Sequence, residues 1–278
     1  MSTRMQQRPT AAVQNMKVNQ TIIHPTAIVH PDAQIGSGVN IGPYSVVEGG
    51  VAVDSGTRIG AHCVIEGHTT IGADCEIFTG AVIGSIPQDL KYHGEENQLI
   101  IGDRNKIREY VTINPGTSGG GGKTVIGSDC LLMAYAHVAH DCIIGSHVII
   151  ANSAALAGHI VIEDRAIVGG LVGIHQFVRV GTLSFIGGCS RVAQDVPPYA
   201  TCVGYPAKVF GLNVEGLRRA EVSSEVKRSL HHAFRVLFQS RLSMTHAVEQ
   251  LEKETNHSSE VRRLLTFIHE SKRGVCRA

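Results

Sequence analysis

An aliphatic side chain recurs at every sixth position: Ile23, Val29, Ile35, Ile41, Val47, Val53, Ile59, Ile65, Ile71, Ile77 and Ile83. The same phase returns at Ile101, Ile107 and Ile113, advances by one residue, and runs through Ile126, Leu132, Val138, Ile144, Ile150, Leu156, Ile162, Val168, Ile174, Val180, Ile186 and Val192. A period of six fits neither a helix nor a simple alternating strand. It suits short extended segments joined by tight corners, each sending one aliphatic side chain into a coil. Three hexapeptides make a coil of 18 residues, so residues 18 apart stack at about 4.8 Å and pair as parallel strands. Small residues two positions before the aliphatic one (Ser45, Thr57, Cys63, Cys75, Ala136, Cys142, Ala154, Ser184) suit a narrow interior. Gly follows the aliphatic residue at 36, 42, 60, 72, 84, 102, 127, 145, 169, 181 and 187, where it is expected to supply a positive φ at the corner.

A solenoid of this kind needs no aromatic core, which accounts for a chain of 278 residues with no Trp, 5% aromatics and 31 Gly. Lys and Arg number 25 against 24 Asp and Glu, so no global field draws the chain to nucleic acid or to an anionic membrane. The seven cysteines form an odd set without a CxxC pair, unlike a disulfide framework or a four-thiolate metal site, and point to a reducing cytoplasm. Residues 1–21 hold no apolar run suited to a signal peptide and read as a flexible extension; no stretch is long enough for stable membrane insertion.

Two segments interrupt the period, 84–100 (GSIPQDLKYHGEENQLI) and 114–125 (NPGTSGGGGKTV), and excursions from a regular solenoid are where function concentrates. After Asn213 helical spacing takes over. Val226, Leu230, Ala233, Leu237 and Phe238 form an apolar stripe behind Ser223 and Ser224, Thr245 is the expected cap of the next helix, and Ser258 that of the last. The expected organisation is an extension over 1–21, a β-helix over 22–213 and a C-terminal helical domain over 214–278. Residues 216–278 carry 12 Lys or Arg against 7 Asp or Glu.

His137, His140, His147, His159 and His175 fall within 39 residues of the second repeat block. Steps of 18 put His140, Gly158 and Gln176 in one column and Asp141, His159 and Phe177 in the next. An imidazole, a carboxylate and a glycine N–H on one face suffice for acyl transfer: the base takes a hydroxyl proton, the carboxylate orients it, and the N–H receives the oxyanion. His140 is the natural base, Asp141 its partner, Gly158 the donor. A zinc site built on His137 and His140 with a third histidine is the rival reading.

The repeats, together with IPQDLKYHG, GDRNKIREYVTINPGT, AHVAHDC, LAGH, GIHQF, GGCSRVAQDVPPY and FGLNVEGLRR, resemble the UDP-N-acetylglucosamine O-acyltransferases over roughly residues 22–275. The resemblance implies a mainly β fold, a left-handed parallel β-helix with a C-terminal α-helical domain, assembled as a homotrimer. It implies transfer of an R-3-hydroxyacyl group from acyl carrier protein to the 3-hydroxyl of UDP-N-acetylglucosamine, the first step of lipid A biosynthesis, with no cofactor and no metal. His140, Asp141 and Gly158 match the catalytic positions; Asp89, Lys91 and His137 match sugar and acyl-chain contacts; His159, His175 and Gln176 line the same cleft. Asn213, Glu215 and Arg219 match the nucleotide end, where Ala220 stands in place of a frequent second arginine and Arg218 is the candidate substitute. Gly188, stacked on Gly170 and Asn152, resembles the position that limits acyl length, and its lack of a side chain implies a long donor. Another hexapeptide acyltransferase, a γ-type zinc carbonic anhydrase and a non-enzymatic scaffold are the alternatives.

Overall fold

The structure, a computed structural model, describes residues 20–254 and 257–277; the expected extension over 1–21 therefore lies outside the described residues except for its last two. Two-residue strands dominate, and among the described residues they build three parallel sheets of 11, 9 and 8 strands, the last strand of the largest being antiparallel. The register is the expected 18: Ile41 pairs with Ile59, Val47 with Ile65 and Val53 with Ile71. Ile77 pairs with Ile107 and Ile113 with Val138, so the extra residues of the two interruptions leave the coil as loops while the stacking continues beneath them. We call the three sheets the first face (from Ile22–Ile23), the second face (from Ile28–Val29) and the third face (from Gln34–Ile35), in the order in which the chain visits them.

From Ile41 onward every repeating aliphatic side chain is buried, and so are the small residues two positions before it. Burial of such a side chain contributes roughly 1.5–3 kcal/mol relative to exposure, which is why short strands with few local contacts persist as a continuous stack. The expected role of the following glycines is corrected. Among them only Gly84 has a positive φ; the left-handed turn residue is the third after the aliphatic one, and it is usually not glycine, as at Tyr44, His62, Asp141 and His159. Glycine follows the aliphatic residue because the next coil stacks directly on it: a Cβ at Gly42 would lie 2.6 Å from Gly60 O.

The hairpin Ala200–Gly204 with Ala207–Leu212 closes the solenoid. Four helices follow, α1 (Val214–Arg219), α2 (Ser224–Phe234), α3 (Met244–Glu252) and α4 (Ser259–Glu270), with a π-helical turn over Arg235–Gln239 continuing α2. Ser223 and Ser258 cap α2 and α4 as expected, whereas α3 is capped by Ser243 and not by Thr245, which lies inside it. Leu230, Ala233 and Leu237 are buried as the stripe requires. The carboxylate of buried Asp195 ties the chain end to the last coil, accepting from Arg179 N and from Ser271 Oγ. No helix among the described residues is long and apolar enough to cross a membrane.

Candidate active site

His140 follows the second-face strand His137–Val138 and precedes the third-face strand Ile143–Ile144, so it stands on the corner between these faces. The two predicted columns form: His159 N donates to His140 O, and Phe177 N donates to Gly158 O. The rings stack accordingly, His140 edge-on to His159 at 5.1 Å and His159 flat on Phe177 at 4.4 Å.

Asp141 follows at φ 59°, a left-handed conformation that turns its side chain back beneath the histidine. His140 Nδ1 lies 2.8 Å from Asp141 Oδ2, with the carboxylate 0% exposed and the imidazole 13%. The carboxylate accepts the Nδ1 proton, and Nε2 is left with its lone pair. His159 Nδ1 is 3.8 Å from the same oxygen. Burial, the largest effect at His137 and His159, pushes both imidazoles below their ordinary range, and a charge on His140 pushes each the same way.

Gly158 has two properties that no other residue type combines. A Cβ there would lie 2.6 Å from His140 Cε1 and 2.8 Å from Nε2, so the ring packs where a side chain would otherwise be. Its N–H also has no acceptor among the described residues. On the corner between the third and first faces several equivalent amides are covered from the next coil: Ala73 N donates to Asp103 Oδ1, Ser128 N to Ser146 Oγ and Ser146 N to Asp164 Oδ1. An uncovered N–H beside an imidazole lone pair is an oxyanion site adjoining a base.

His137 Nδ1 bonds Thr112 Oγ1 at 2.7 Å on the second face, at one edge of a groove of about 400 Å³ that continues past Ala155, Gly173, His175 and Arg191. His175 and Gln176 are exposed on the next coil. Asp89 and Lys91, in the first excursion, act electrostatically on His159, the aspartate raising and the lysine lowering its proton affinity. The structure thus gathers His137, His140, Asp141, Gly158, His159, His175, Gln176, Asp89 and Lys91 around one corner. Asn213, Glu215 and Arg219 lie elsewhere, at the start of α1. Asn213 is its N-cap, accepting from Gly216 N and donating to Leu183 O, and Glu215 binds both Arg218 and Arg219. Gly188 stands on a third location, the corner between the first and second faces.

Sequence reasoning missed Thr117. Its N–H and hydroxyl both donate to Asp141, at 2.8 and 2.6 Å, from within the second excursion. The signal was the NPGT segment interrupting the repeat; no spacing rule links position 117 to 141. For zinc, the group that converges is His140, Asp141 and His159 and not the pair His137 and His140. Asp141 Oδ2 in that group already faces two proton donors, an arrangement that suits a hydrogen-bonded base better than a metal ligand.

A family model described as UDP N-acetylglucosamine O-acyltransferase, domain 2, matches residues 195–276, and one described as bacterial transferase hexapeptide (six repeats) matches residues 123–158. An acyl-[acyl-carrier-protein]--UDP-N-acetylglucosamine O-acyltransferase of Myxococcus xanthus is 51% identical over 255 residues, covering 92% of this chain and 99% of the relative. One of the same description from a Sulfurovum species is 47% identical over 253 residues, covering 91% and 96%. The solved structure of LpxA from Acinetobacter baumannii superposes with a TM-score of 0.89 at 43% identity, covering 92% of this chain and all of that one. The architecture is the left-handed parallel β-helix with C-terminal helices that the resemblance implied. With that identity sustained across whole relatives, the chain belongs to the UDP-N-acetylglucosamine O-acyltransferase family.

Proposed function

We propose that this chain is a cytoplasmic enzyme that moves an R-3-hydroxyacyl group from acyl carrier protein to the 3-hydroxyl of UDP-N-acetylglucosamine, the first step of lipid A biosynthesis, and that it works as a homotrimer. The observation that carries the reading is the placement of the His140–Asp141 pair against the uncovered N–H of Gly158.

The steps follow from that placement. His140 Nε2 removes the proton of the sugar 3-hydroxyl as its oxygen attacks the thioester carbonyl, and Asp141 stabilises the imidazolium that forms. The tetrahedral oxyanion is met by Gly158 N–H. Collapse expels the carrier thiolate, which takes back the proton from Nε2, leaving ester and thiol. One base and one oxyanion site complete this exchange of sulfur for oxygen, so the chemistry calls for no metal or redox group. Asp89, Lys91, His137, His159, His175 and Gln176 contact the sugar and acyl chain, and Glu215 and Arg219 serve the nucleotide end, with Asn213 shaping that end as a helix cap.

Incubating the protein with R-3-hydroxyacyl carrier protein and UDP-N-acetylglucosamine is expected to yield the acylated sugar nucleotide. His140→Ala is expected to fold normally and lose about 10²–10⁴-fold in rate, the usual worth of a general base. An active alanine variant contradicts the assignment.

A further inference from the structure

We propose that Thr117 is a positioning residue for the acyl transfer: its hydroxyl and its N–H together hold the Asp141 carboxylate in the plane from which it receives His140 Nδ1–H. The inference rests on His140 being the base, and it assigns a task to the second excursion that the repeat alone leaves unexplained.

Asp141 is enclosed, with no exposed side-chain atom. A carboxylate withdrawn from water persists as an anion only when donors replace its hydration. Three donors do so. Thr117 N–H reaches Oδ1 at 2.8 Å, Thr117 Oγ1–H reaches Oδ2 at 2.6 Å, and His140 Nδ1 lies 2.8 Å from Oδ2. Two of the three come from one residue and clamp both oxygens, so Thr117 sets the rotation of the carboxyl group and His140 meets an acceptor already fixed.

Thr117 gives up another bond to do this. It stands at the N-cap of the 3-10 turn Ser118–Gly120, where a threonine hydroxyl ordinarily accepts from the helix backbone, yet it makes no side-chain cap bond there. Gly120 backs the carboxylate so closely that a Cβ would come within 2.0 Å of Asp141 Cγ, so the whole turn is moulded on this one side chain. The loop is anchored in turn: Gln98 N donates to Gly122 O at 2.8 Å, Gly116 N to Gln98 O at 3.2 Å, and Ser118 Oγ to Glu95 Oε1 at 3.2 Å. The first excursion therefore braces the second, and the second braces the dyad.

The test is kinetic. Thr117→Val removes the hydroxyl, keeps the N–H and the shape, and is expected to lower kcat about ten- to hundredfold, the range for a hydrogen bond to a charged group, with KM for both substrates within about twofold. Thr117→Ser restores the donor and is expected to stay within about threefold of wild type. In an Asp141→Asn background, Thr117→Val should cost less than about threefold further, because residues acting through one carboxylate are not additive. Thr117→Ala carries the same expectation should the valine variant fail to fold. The proposal is overturned by a valine variant as fast as wild type, by a serine variant as slow as valine, by a loss that adds in full to that of Asp141→Asn, or by loss of the fold in both the valine and alanine variants. An active His140→Ala variant would instead overturn the reading on which it rests.

Discussion

Among the described residues, corner amides without an acceptor recur, as at Ala61, Thr79 and Asn152; what sets Gly158 apart is the His140 imidazole packed where its side chain would be. Gly158→Ala keeps the N–H yet puts a methyl group where His140 Cε1 and Nε2 now sit, at 2.6 and 2.8 Å. Displacing the base by about an ångström is expected to cost about a hundredfold in kcat. A Gly158→Ala enzyme with full activity would show that the ring does not need that space. Acidification should also abolish turnover. Burial keeps His137 and His159 neutral to lower pH than an ordinary imidazole, and a protonated His140 cannot accept the hydroxyl proton. A rate that holds constant between pH 8 and pH 5 would contradict a histidine base.

At the scale of elements, the regular parts were readable and the irregular parts only locatable. Each 18-residue step maps to a real pair, such as His140 with Gly158, because stacking is enforced by the buried aliphatic ladder. The glycines after that ladder were visible but misread, since close approach of the next coil and positive φ leave the same residue in a sequence. Thr117 was beyond reach for a different reason: an excursion has no period, so its partner in space has no signature in spacing. The helices show a further limit, because charge counts ignore pairing. Arg219, matched to the nucleotide end, and Arg218, the candidate substitute beside it, are both committed to Glu215, whose carboxyl they pull down to about 2. Arg218 is therefore not free to substitute for the arginine that Ala220 replaces. Lys227, Arg228 and Arg235 make no ion pair among the described residues and line one hollow along α2 with His231 and His232, the latter bound to Glu254. An acidic carrier protein is expected to dock there. Reversing all three charges should raise KM for the acyl carrier protein at least about tenfold and flatten its rise with salt, since screening at about 0.1 M acts within 10 Å of exposed charges. Reversing Arg218 and Arg219 should do less. An affinity for the carrier protein that ignores ionic strength would remove this surface.

For the whole molecule, what matters is that Gly188 and His140 occupy different corners of the same prism. They are 48 residues apart, about 2.7 coils, or roughly 13 Å of axial rise at 4.8 Å per coil. The rest of the separation is the width of the second face, which periodicity cannot supply until each residue is assigned to a corner. On that face the groove passes Ala155 and Gly173, where small residues leave room for a chain. Its outer side is open in a single protomer, and each methylene buried is worth about 0.8 kcal/mol, so closing a second copy over the groove would strengthen the grip on the acyl chain. This joins acyl selectivity to the proposed trimer. Gly188 is exposed, stacked on Gly170 as the repeat requires, and an added Cβ would meet Gly170 O at 3.2 Å, a contact relieved by a shift of a few tenths of an ångström. Gly188→Met therefore fits the coil and projects into the space beside it. If that space receives the end of the acyl chain, the methionine excludes about four methylenes, costing roughly 3 kcal/mol or about a hundredfold in preference. Long and short R-3-hydroxyacyl carrier proteins placed in competition should then be chosen differently by the two proteins, the wild type favouring the long donor and Gly188→Met the short one. A wild type that already prefers the short donor, or a methionine variant that keeps the long-chain preference, removes Gly188 from the acyl site.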